Sequence, residues 1–284
     1  MDSGMQETLK QTDYQLCAGK RYLKNKFNGR LAIIIYSCWK NRDMWKIFSI
    51  LFKKYWKECP YKVVLVTDEY HEVEFEHVFD QIVQIDDTWA AMIKETIRTV
   101  KTRYVMLWMD DYLLCDYVSN EKVQELLERA VKYQAANLKL VESPVCSGRC
   151  QYDPNTGFYD KGSAYCLSTQ IGIWDAKFLY KAVPDYWSAW EFERIGSLKK
   201  NIAKQPILAA LDYVFPYEEG VRKGKWMEQG VKLCKRNGIE IDTSVRQIMT
   251  NKDMAWIYFL GAVIDLNPTL ILKIQNFIYK IIGK

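Results

Sequence analysis

An uncharged run, Tyr104-Val-Met-Leu-Trp-Met109, leads directly into two adjacent carboxylates, Asp110 and Asp111. Its length and its aromatic and β-favouring side chains predict a strand that is buried on both faces, as in a parallel sheet. Neighbouring carboxylates repel each other, and burying an unpaired carboxylate is costly. A cation, a basic neighbour or water must therefore stabilise the pair, unless the two aspartates simply cap the turn that follows the strand.

The segments before this strand alternate between strand and helix patterns. Residues 31–36, 62–66 and 81–85 are apolar runs of strand length, whereas 41–57 and about 89–101 carry apolar residues at helical spacing. Strands that alternate with helices form mainly parallel sheets with right-handed crossovers. The predicted fold class is therefore α/β, with a Rossmann-like, mainly parallel sheet flanked by helices.

The second half of the chain is less regular. We predict a helix over 121–134, a strand over 137–141, strand-like residues over 167–174 and a short helix over 175–182. Residues 143–163 are rich in proline and glycine, which predicts a mobile loop over a site. A polar leader over 1–29 precedes the predicted domain of 30–240, and a helical region over 241–284 follows it.

Composition and charge exclude several classes of protein. The chain has 284 residues, 49% of them hydrophobic, which is ample for a large core. Its 40 basic and 35 acidic residues give a net charge of +5, too mild for a dedicated nucleic-acid binder. The eight cysteines lack the density of a disulfide scaffold. Because the polar, acidic start has no secretory pattern, we expect a cytoplasmic protein.

Missing motifs exclude further classes of enzyme. The only histidines, His71 and His77, lie in an acidic segment, so a Ser-His or Cys-His hydrolase has little to build on. The turn from Ser37 to Arg42 contains no glycine, and therefore no dinucleotide-binding fingerprint follows the first predicted strand. A G-x-x-x-x-G-K-[ST] motif is also missing. A nicotinamide dehydrogenase and a P-loop nucleotide hydrolase are thus disfavoured.

Polar residues follow the predicted parallel strands. Ser37 follows the first strand, Asp68 follows the second, and Asp110 and Asp111 follow the strand of 104–109. Ligands bind to such sheets beyond the carboxyl ends of the strands, so we expect these side chains at one edge. Acidic residues there, without a glycine-rich phosphate loop, favour a mononucleotide that is held through a metal ion.

Three later motifs complete a pattern that points to a family. They are Gln170-Ile-Gly-Ile-Trp174, Ser188-Ala-Trp-Glu-Phe-Glu193 and Gly224-Lys-Trp226. With the order of strands and the acidic pair, they make the chain resemble GT-A glycosyltransferases, in particular bacterial enzymes that build surface polysaccharides from nucleotide-sugars. The likeness covers roughly residues 30–240. It implies a GT-A-like domain with a donor half over about 30–120 and an acceptor half over about 121–240.

The resemblance implies a donor site at the sheet edge. There Asp110 and Asp111 would hold Mn²⁺ or Mg²⁺ against the nucleotide diphosphate, where the metal neutralises charge on the leaving group. Asp68 would contact the base or ribose, and Ser37 and Lys94 are further donor-binding candidates. The family's third-position acid is replaced by Tyr112. It therefore stays open whether one aspartate holds metal while the other contacts ribose.

The resemblance also implies an acceptor site around 187–193. Inverting transferases need a carboxylate that takes the proton of the acceptor hydroxyl, and Glu193 or Glu191 is the candidate. In an extended segment the two would share one face, whereas on a helix they would diverge by about 200°. Trp187 and Trp190 would stack on a sugar or else pack in the core. Gln170 is a further acceptor-binding candidate.

The C-terminal region has two apolar segments. Residues 255–264 are apolar but too few to span a bilayer, so they belong to the core or an interface. Residues 269–284 predict a helix with an apolar stripe beside Lys273, Lys280 and Lys284. Such a helix could lie on the inner face of the cytoplasmic membrane, beside a lipid-linked acceptor, or could dock on protein.

The leading hypothesis is a glycosyltransferase that moves a sugar from a nucleotide-sugar to a saccharide or lipid-linked acceptor in bacterial envelope polysaccharide synthesis. An inverting displacement is the favoured course. The alternatives are a sugar nucleotidyltransferase, which usually carries a glycine-rich basic loop after its first strand, and a catalytically inactive scaffold of the same fold at the membrane.

Overall fold

The computed structural model describes residues 29–199 and 205–282. The polar leader predicted for 1–29 lies outside the described residues except for its last residue. The strands are β1 (Leu31–Tyr36), β2 (Lys62–Thr67), β3 (Gln81–Gln84), β4 (Tyr104–Met109), β5 (Tyr112–Leu114), β6 (Asn137–Lys139), β7 (Gly148–Cys150), β8 (Asp153–Phe158), β9 (Gly172–Asp175), β10 (Ile207–Ala210), β11 (Tyr217–Glu219), β12 (Val221–Arg222) and β13 (Lys225–Trp226). The α-helices are α1 (Arg42–Tyr55), α2 (Trp89–Val100), α3 (Asn120–Lys132), α4 (Ala176–Ala182), α5 (Ala189–Glu191), α6 (Glu228–Arg236), α7 (Asn251–Leu266) and α8 (Pro268–Ile282).

A nine-stranded sheet in the order β3-β2-β1-β4-β9-β6-β10-β8-β7 forms the centre of the fold. The first four strands in this order are parallel, as predicted from their alternation with helices. Strand β9 then runs antiparallel to both of its neighbours, β4 and β6. The predicted fold class, an α/β protein with a large, mostly parallel sheet flanked by helices, is confirmed.

Strand β4 lies near the middle of this sheet and separates two hydrophobic layers. Met106 and Trp108 face the core formed with α1 and α3, whereas Val105 and Leu107 face the core formed with α2 and α4. The alternation of side chains along a strand explains why every second residue enters the same layer. Because both faces are covered, the uncharged run before Asp110 is buried throughout its first five residues, as predicted.

The second half departs from the sequence predictions in two places. The predicted loop over 143–163 contains the antiparallel hairpin of β7 and β8, which forms the last two strands of the large sheet. The strand predicted over 167–174 is regular only from Gly172, where it pairs with β4 and β6. A side chain at Gly172 would come within 2.9 Å of Asn137 Oδ1, so the close approach of β6 requires glycine there.

The chain after α6 returns to the domain before the last two helices begin. The Trp226 amide donates to the Gln247 carbonyl at 2.9 Å, and the Met249 amide donates to the Trp226 carbonyl at 2.9 Å. Helices α7 and α8 follow within the region predicted to be helical. No helix among the described residues has the length and apolar character that a membrane crossing requires.

Candidate active site

Asp110 lies at the carboxyl end of β4 and is fixed by the neighbouring parallel strand. Its amide donates to the Tyr36 carbonyl at 3.2 Å, and the Ser37 hydroxyl donates to its carboxylate. The Trp45 Nε1 group donates in turn to the Ser37 Oγ at 2.6 Å. Ser37, a predicted donor-binding residue, therefore lies directly against Asp110, and the Asp110 carboxylate is almost completely buried.

Asp111 follows without a comparable partner for its side chain. Its main-chain carbonyl accepts a 2.8 Å hydrogen bond from the Gly220 amide, which ties the β4–β5 turn to the segment after β11. Its Oδ1 atom is buried and has no hydrogen-bond partner among the described residues. Burying a carboxylate oxygen without a hydrogen-bond partner costs free energy, so we expect an ion, a water molecule or a ligand to contact this atom.

The electrostatic environment of Asp110 and Asp111 explains why the pair needs a further partner. Burial raises the pKa of Asp110, which the hydrogen bond from Ser37 and the charge of Arg246 partly oppose. Burial also raises the pKa of Asp111, and the nearby charges of Asp110 and Glu219 raise it further. Two buried like charges cannot both ionise cheaply. A cation at this edge would allow both carboxylates to be charged.

The residues present fit a divalent metal ion. Carboxylate oxygens are the ligands that Mg²⁺ and Mn²⁺ prefer, and Asp111 Oδ1 is a buried carboxylate oxygen without a partner in the described structure. Across 29–199 and 205–282, no group of three or more histidine, cysteine or acidic residues with ligand geometry is found. The remaining ligands would therefore have to come from phosphate oxygens or water, which is usual for Mg²⁺.

Asp68 follows β2 and organises the first strand-to-helix turn. Its Oδ1 accepts from the Trp39 amide at 2.7 Å and from the Glu69 amide at 2.9 Å. A short 3₁₀ turn, Trp39–Asn41, occupies the place where a glycine-rich loop would stand in a dinucleotide-binding protein. Asp68 thus has the turn role that its residue type suggests, while a contact with base or ribose stays a prediction.

Lys94 has partners of its own on the surface of α2. Its Nζ pairs with Asp185 and lies 5.4 Å from the centre of the Tyr180 ring. These contacts join α2 to α4 and to the segment that leads into α5. The charge of Lys94 is balanced by Asp185, and a role of Lys94 in donor binding stays a prediction.

Glu193 lies on a π-helical turn, Phe192–Gly196, that continues α5. The Thr169 amide and hydroxyl donate to its Oε1 at 2.6 and 2.7 Å. Burial raises the pKa of Glu193, although these hydrogen bonds and the charge of Lys139 oppose the increase. A carboxyl group with a raised pKa and one anchored oxygen is suited to exchange a proton.

Of the two geometries considered for Glu191 and Glu193, the structure has the helical one, in which the two side chains diverge. Ser188 and Glu191 form a capping box in which the Glu191 Oε2 accepts from the Ser188 amide and hydroxyl, both at 2.8 Å. This reciprocal cap satisfies main-chain groups that the first turn of a helix leaves unpaired. The arrangement separates the two candidates, with Glu191 holding the helix start and Glu193 reaching Thr169.

The two tryptophans of this segment also differ. Trp187 is only 2% exposed and packs in the α2–α4 core, with Lys199 Nζ 4.5 Å from its ring centre. Its ring is therefore not accessible for stacking on a sugar. Trp190 is 68% exposed, which leaves its ring available to a ligand. Trp187 precedes the Ser188 N-cap and lies outside the helix, in the core, whereas Trp190 lies on α5 itself.

A chain of side chains connects the acidic pair with Glu193. The rings of Tyr112 and Tyr217 lie 4.9 Å apart between their centres. The Tyr217 hydroxyl donates to the Gln170 Oε1, and Gln170 adjoins Thr169, the partner of Glu193. Gln170, predicted to bind acceptor, thus lies between the two carboxylate sites. One continuous region therefore includes Asp111, Gln170 and Glu193.

Arg246 is a site residue that sequence reasoning missed. Its Nε donates to Asp43 Oδ2 at 2.6 Å and one terminal nitrogen donates to Asn41 Oδ1 at 2.7 Å. Its charge lowers the pKa of Asp110 and Asp111, so Arg246 is a basic neighbour that offsets part of the effect of burial. Arg246 lies 203 residues from Asp43 in a segment without periodicity, and no local signal could have identified it.

Lys139 is the second residue that was missed. It is completely buried, and its Nζ donates to the Ser143 and Tyr165 carbonyls at 2.7 and 2.9 Å and lies 4.4 Å from the centre of the Tyr159 ring. Burial lowers its pKa to about 7. The only signal was a lysine flanked by leucines in a predicted strand, which normally indicates an exposed position.

Comparison with known proteins gives weak likenesses. No protein-family model matches the sequence, and no curated protein matches it either. Among solved structures, Staphylococcus aureus TarS, residues 1–349, matches with 12% identity and a TM-score of 0.44, covering 66% of this chain and 59% of that one. The chain therefore spans about three fifths of that TarS structure.

Other solved structures give similar values. TarS 1–349 in complex with UDP-GlcNAc matches with 11% identity and a TM-score of 0.45, over 76% of this chain and 68% of that one. A cytidylyltransferase from Leptospira borgpetersenii matches with 10% identity and a TM-score of 0.38, over 78% of this chain and 98% of that one. At these identities and TM-scores, a likeness supports no conclusion about function. A functional conclusion must therefore rest on the residues of the site.

Proposed function

We propose that this protein is a glycosyltransferase that moves a sugar from a nucleotide-sugar donor to a saccharide or lipid-linked acceptor in bacterial envelope polysaccharide synthesis. The observation that carries the proposal is the buried pair Asp110-Asp111 at the carboxyl edge of the sheet, with an unpartnered oxygen and raised pKa values. A cytoplasmic location, with peripheral contact on the inner face of the membrane, belongs to the same proposal.

On the donor side, Asp110 and Asp111 would hold Mn²⁺ or Mg²⁺ together with the diphosphate. When bound, the metal would stabilise the negative charge that develops on the leaving diphosphate. Ser37 fixes the Asp110 carboxylate, so the pair needs little rearrangement when a donor arrives. Asp68, at the end of the neighbouring strand β2, is proposed to contact the ribose or base.

On the acceptor side, Glu193 would act as the general base. Both hydrogen bonds from Thr169 end on its Oε1, which leaves Oε2 to take the proton of the acceptor hydroxyl. Burial raises the Glu193 pKa, and a base is most effective when its pKa approaches the working pH. The acceptor oxygen would form its bond to the anomeric carbon as the bond to the diphosphate breaks on the opposite face, which inverts the configuration. Gln170 and Trp190 would position the acceptor.

A screen of nucleotide-sugars tests this function. The purified protein is incubated with each donor in Mn²⁺, in Mg²⁺ and in EDTA, with and without saccharide acceptors, and the released nucleotide is identified. We expect slow release of nucleoside diphosphate from one donor, dependent on the divalent cation. Release of pyrophosphate from a nucleoside triphosphate and sugar phosphate would instead identify a nucleotidyltransferase. No binding and no turnover of any donor would contradict the proposal.

A further inference from the structure

Helix α8 presents two different faces. Leu272 on one face is completely buried against the domain, and the neighbouring Asn276 Nδ2 donates to the Arg194 carbonyl at 3.5 Å. Gln275 on this face accepts from the Tyr165 hydroxyl at 3.3 Å. The opposite face carries large apolar side chains that remain exposed: Leu270, Ile274, Phe277 and Ile278. Their spacing places them on one stripe of the helix.

Helix α7, immediately before α8, also carries exposed apolar side chains. Trp256, Phe259 and Leu266 recur at helical spacing and are all exposed, Trp256 at 57% and Leu266 at 86%. Tyr258 on the flank is exposed as well. Two successive helices therefore leave apolar and aromatic stripes uncovered. Exposed apolar patches of this kind normally mark a contact with a membrane or another protein.

The charges around these stripes favour a negatively charged partner. Residues 251–284, which span both helices, contain four lysines and two aspartates, a net charge of +2. The charge of one of these aspartates, Asp253, is paired with Lys225, which lies outside the two helices. Lys252 and Lys273 are exposed beside the apolar stripes of α7 and α8. Two copies of this surface would bring like charges together, which costs free energy. An anionic lipid surface offers hydrocarbon for the stripes and negative headgroups for the lysines.

We propose that α7 and α8 together form a monotopic contact with anionic membrane surfaces, with the exposed stripes in the headgroup and upper acyl region. The contact includes α7 as well as the 269–284 segment for which the sequence predicts an amphipathic helix. Exposed tryptophan and tyrosine favour the membrane interface, where an amphipathic ring is partly hydrated. Because α8 also packs on the Glu193 turn, the bound protein would hold its Glu193 region close to the lipid surface.

Sedimentation with lipid vesicles tests this contact. The full chain is mixed with vesicles of phosphatidylcholine alone and of equal parts phosphatidylcholine and phosphatidylglycerol, and the pelleted fraction is measured without substrates. We expect binding to the anionic vesicles at least about tenfold tighter than to the neutral ones, and weakened by high salt. The double variant Trp256→Glu/Phe277→Glu should lower the affinity about tenfold or more.

A matched control uses Tyr152, an aromatic residue that is 88% exposed in the β7–β8 hairpin turn, far along the chain from α7 and α8. Tyr152→Glu should leave vesicle binding unchanged, and circular dichroism should give the same helix content for all variants. Equal binding by the double variant, or no binding of the wild type to anionic vesicles, would overturn the proposal. Light scattering provides the third outcome: a dimer that the double variant converts to a monomer would assign the face to a second copy instead.

The contact deepens the peripheral membrane location that the proposed function includes, and its test is separate from that of the transferase activity. Vesicle binding is measured without donor or acceptor, and donor turnover is measured without vesicles. A protein that binds vesicles and turns over no donor would retain the membrane contact and lose the proposed function. The reverse result would retain the function and overturn the contact.

Discussion

The acidic pair and Glu193 are both buried carboxylate sites, yet the fold builds them differently. Asp110 and Asp111 end a central strand that is paired on both sides, and Ser37 on the neighbouring strand fixes the first of them. Glu193 lies on an irregular helical turn and depends on one residue, Thr169, for both of its hydrogen bonds. We therefore propose that the strand-end pair is completed by a cation, whereas Glu193 is proposed to exchange a proton.

This difference separates the expected roles of the two sites. Removing one charge from the pair should weaken the proposed metal-assisted donor binding, because a divalent ion is held by the negative charge of the carboxylates. Removing the charge of Glu193 should leave donor binding intact and affect only proton transfer. The following experiments test that separation, beginning with the largest effect.

The largest effect is expected for Asp111→Asn. The substitution keeps the shape of the side chain but removes the charge that we expect to hold the metal, so donor turnover should fall on the order of a thousandfold. The assay is release of nucleoside diphosphate with Mn²⁺ present. Asp116→Asn, at an exposed residue after β5, is the matched control and should retain wild-type turnover. Equal activity of the Asp111 and Asp116 variants would refute the metal assignment.

Glu193→Gln should reduce transfer to the acceptor about a hundredfold, because the amide cannot take the hydroxyl proton. Calorimetry should give unchanged affinity for the donor nucleotide. Glu191→Gln is the control, since it keeps a hydrogen-bond acceptor in the capping box and should preserve transfer within about twofold. If the Glu191 variant lost activity and the Glu193 variant did not, the assignment of the base would be reversed.

The two tryptophans provide a third, smaller contrast. Trp190→Ala should raise the acceptor KM several-fold with little change in stability, since the ring is 68% exposed. Trp187→Ala should instead lower the free energy of unfolding by about 3–5 kcal/mol, as core aromatic truncations do. Acceptor kinetics and urea denaturation measure the two effects. An unstable Trp190 variant with normal acceptor kinetics would place Trp190 among the structural residues.

The smallest effect concerns stability and pH. The pKa values of Asp110 and Asp111 are raised above their ordinary 3.8 in the folded protein, so the folded state holds these two protons more tightly than the unfolded state does. The resulting contribution to the free energy of unfolding is fully present below about pH 3.8. It is lost as the pH rises through the raised values. In EDTA the melting temperature should therefore fall by a few degrees between about pH 5 and 8.

Mn²⁺ should restore part of this loss by balancing the charges. Asp111→Asn should flatten the pH profile, because a single buried carboxylate lacks its charged neighbour. Differential scanning fluorimetry with and without Mn²⁺ measures both effects. A profile that is equally steep in the variant would show that the pH dependence arises elsewhere.

The donor half could be predicted from sequence because its signals are local. The uncharged residues before Asp110 by themselves predict a buried strand. Apolar spacing predicts the helices of 41–57 and 89–101 to within two residues of the observed bounds. The parallel order then places Ser37 beside Asp110 without any knowledge of side-chain contacts. Each step uses residues that are close together in the chain.

The acceptor half depends on contacts between distant residues. The 188–193 segment has one local helix signal, the capping-box spacing of Ser188 and Glu191, but the π-helical turn that follows and the contact of Glu193 with Thr169 have none. The reversal of β9 and the burial of Lys139 follow from how separate segments pack. The charge of Arg246 lowers the pKa of Asp110, although Arg246 lies in a segment without a helix or strand pattern. Such long-range arrangements leave no periodic signal in the sequence.

The most direct measurement is the binding of nucleoside diphosphates by calorimetry, for the wild type and Asp111→Asn, in Mn²⁺ and in EDTA. The account predicts that one diphosphate binds to the wild type only when Mn²⁺ is present. The variant should bind it at least about tenfold more weakly than the wild type does in Mn²⁺. Equal affinity in Mn²⁺ and EDTA, with no loss in the variant, would contradict a donor site at Asp110 and Asp111.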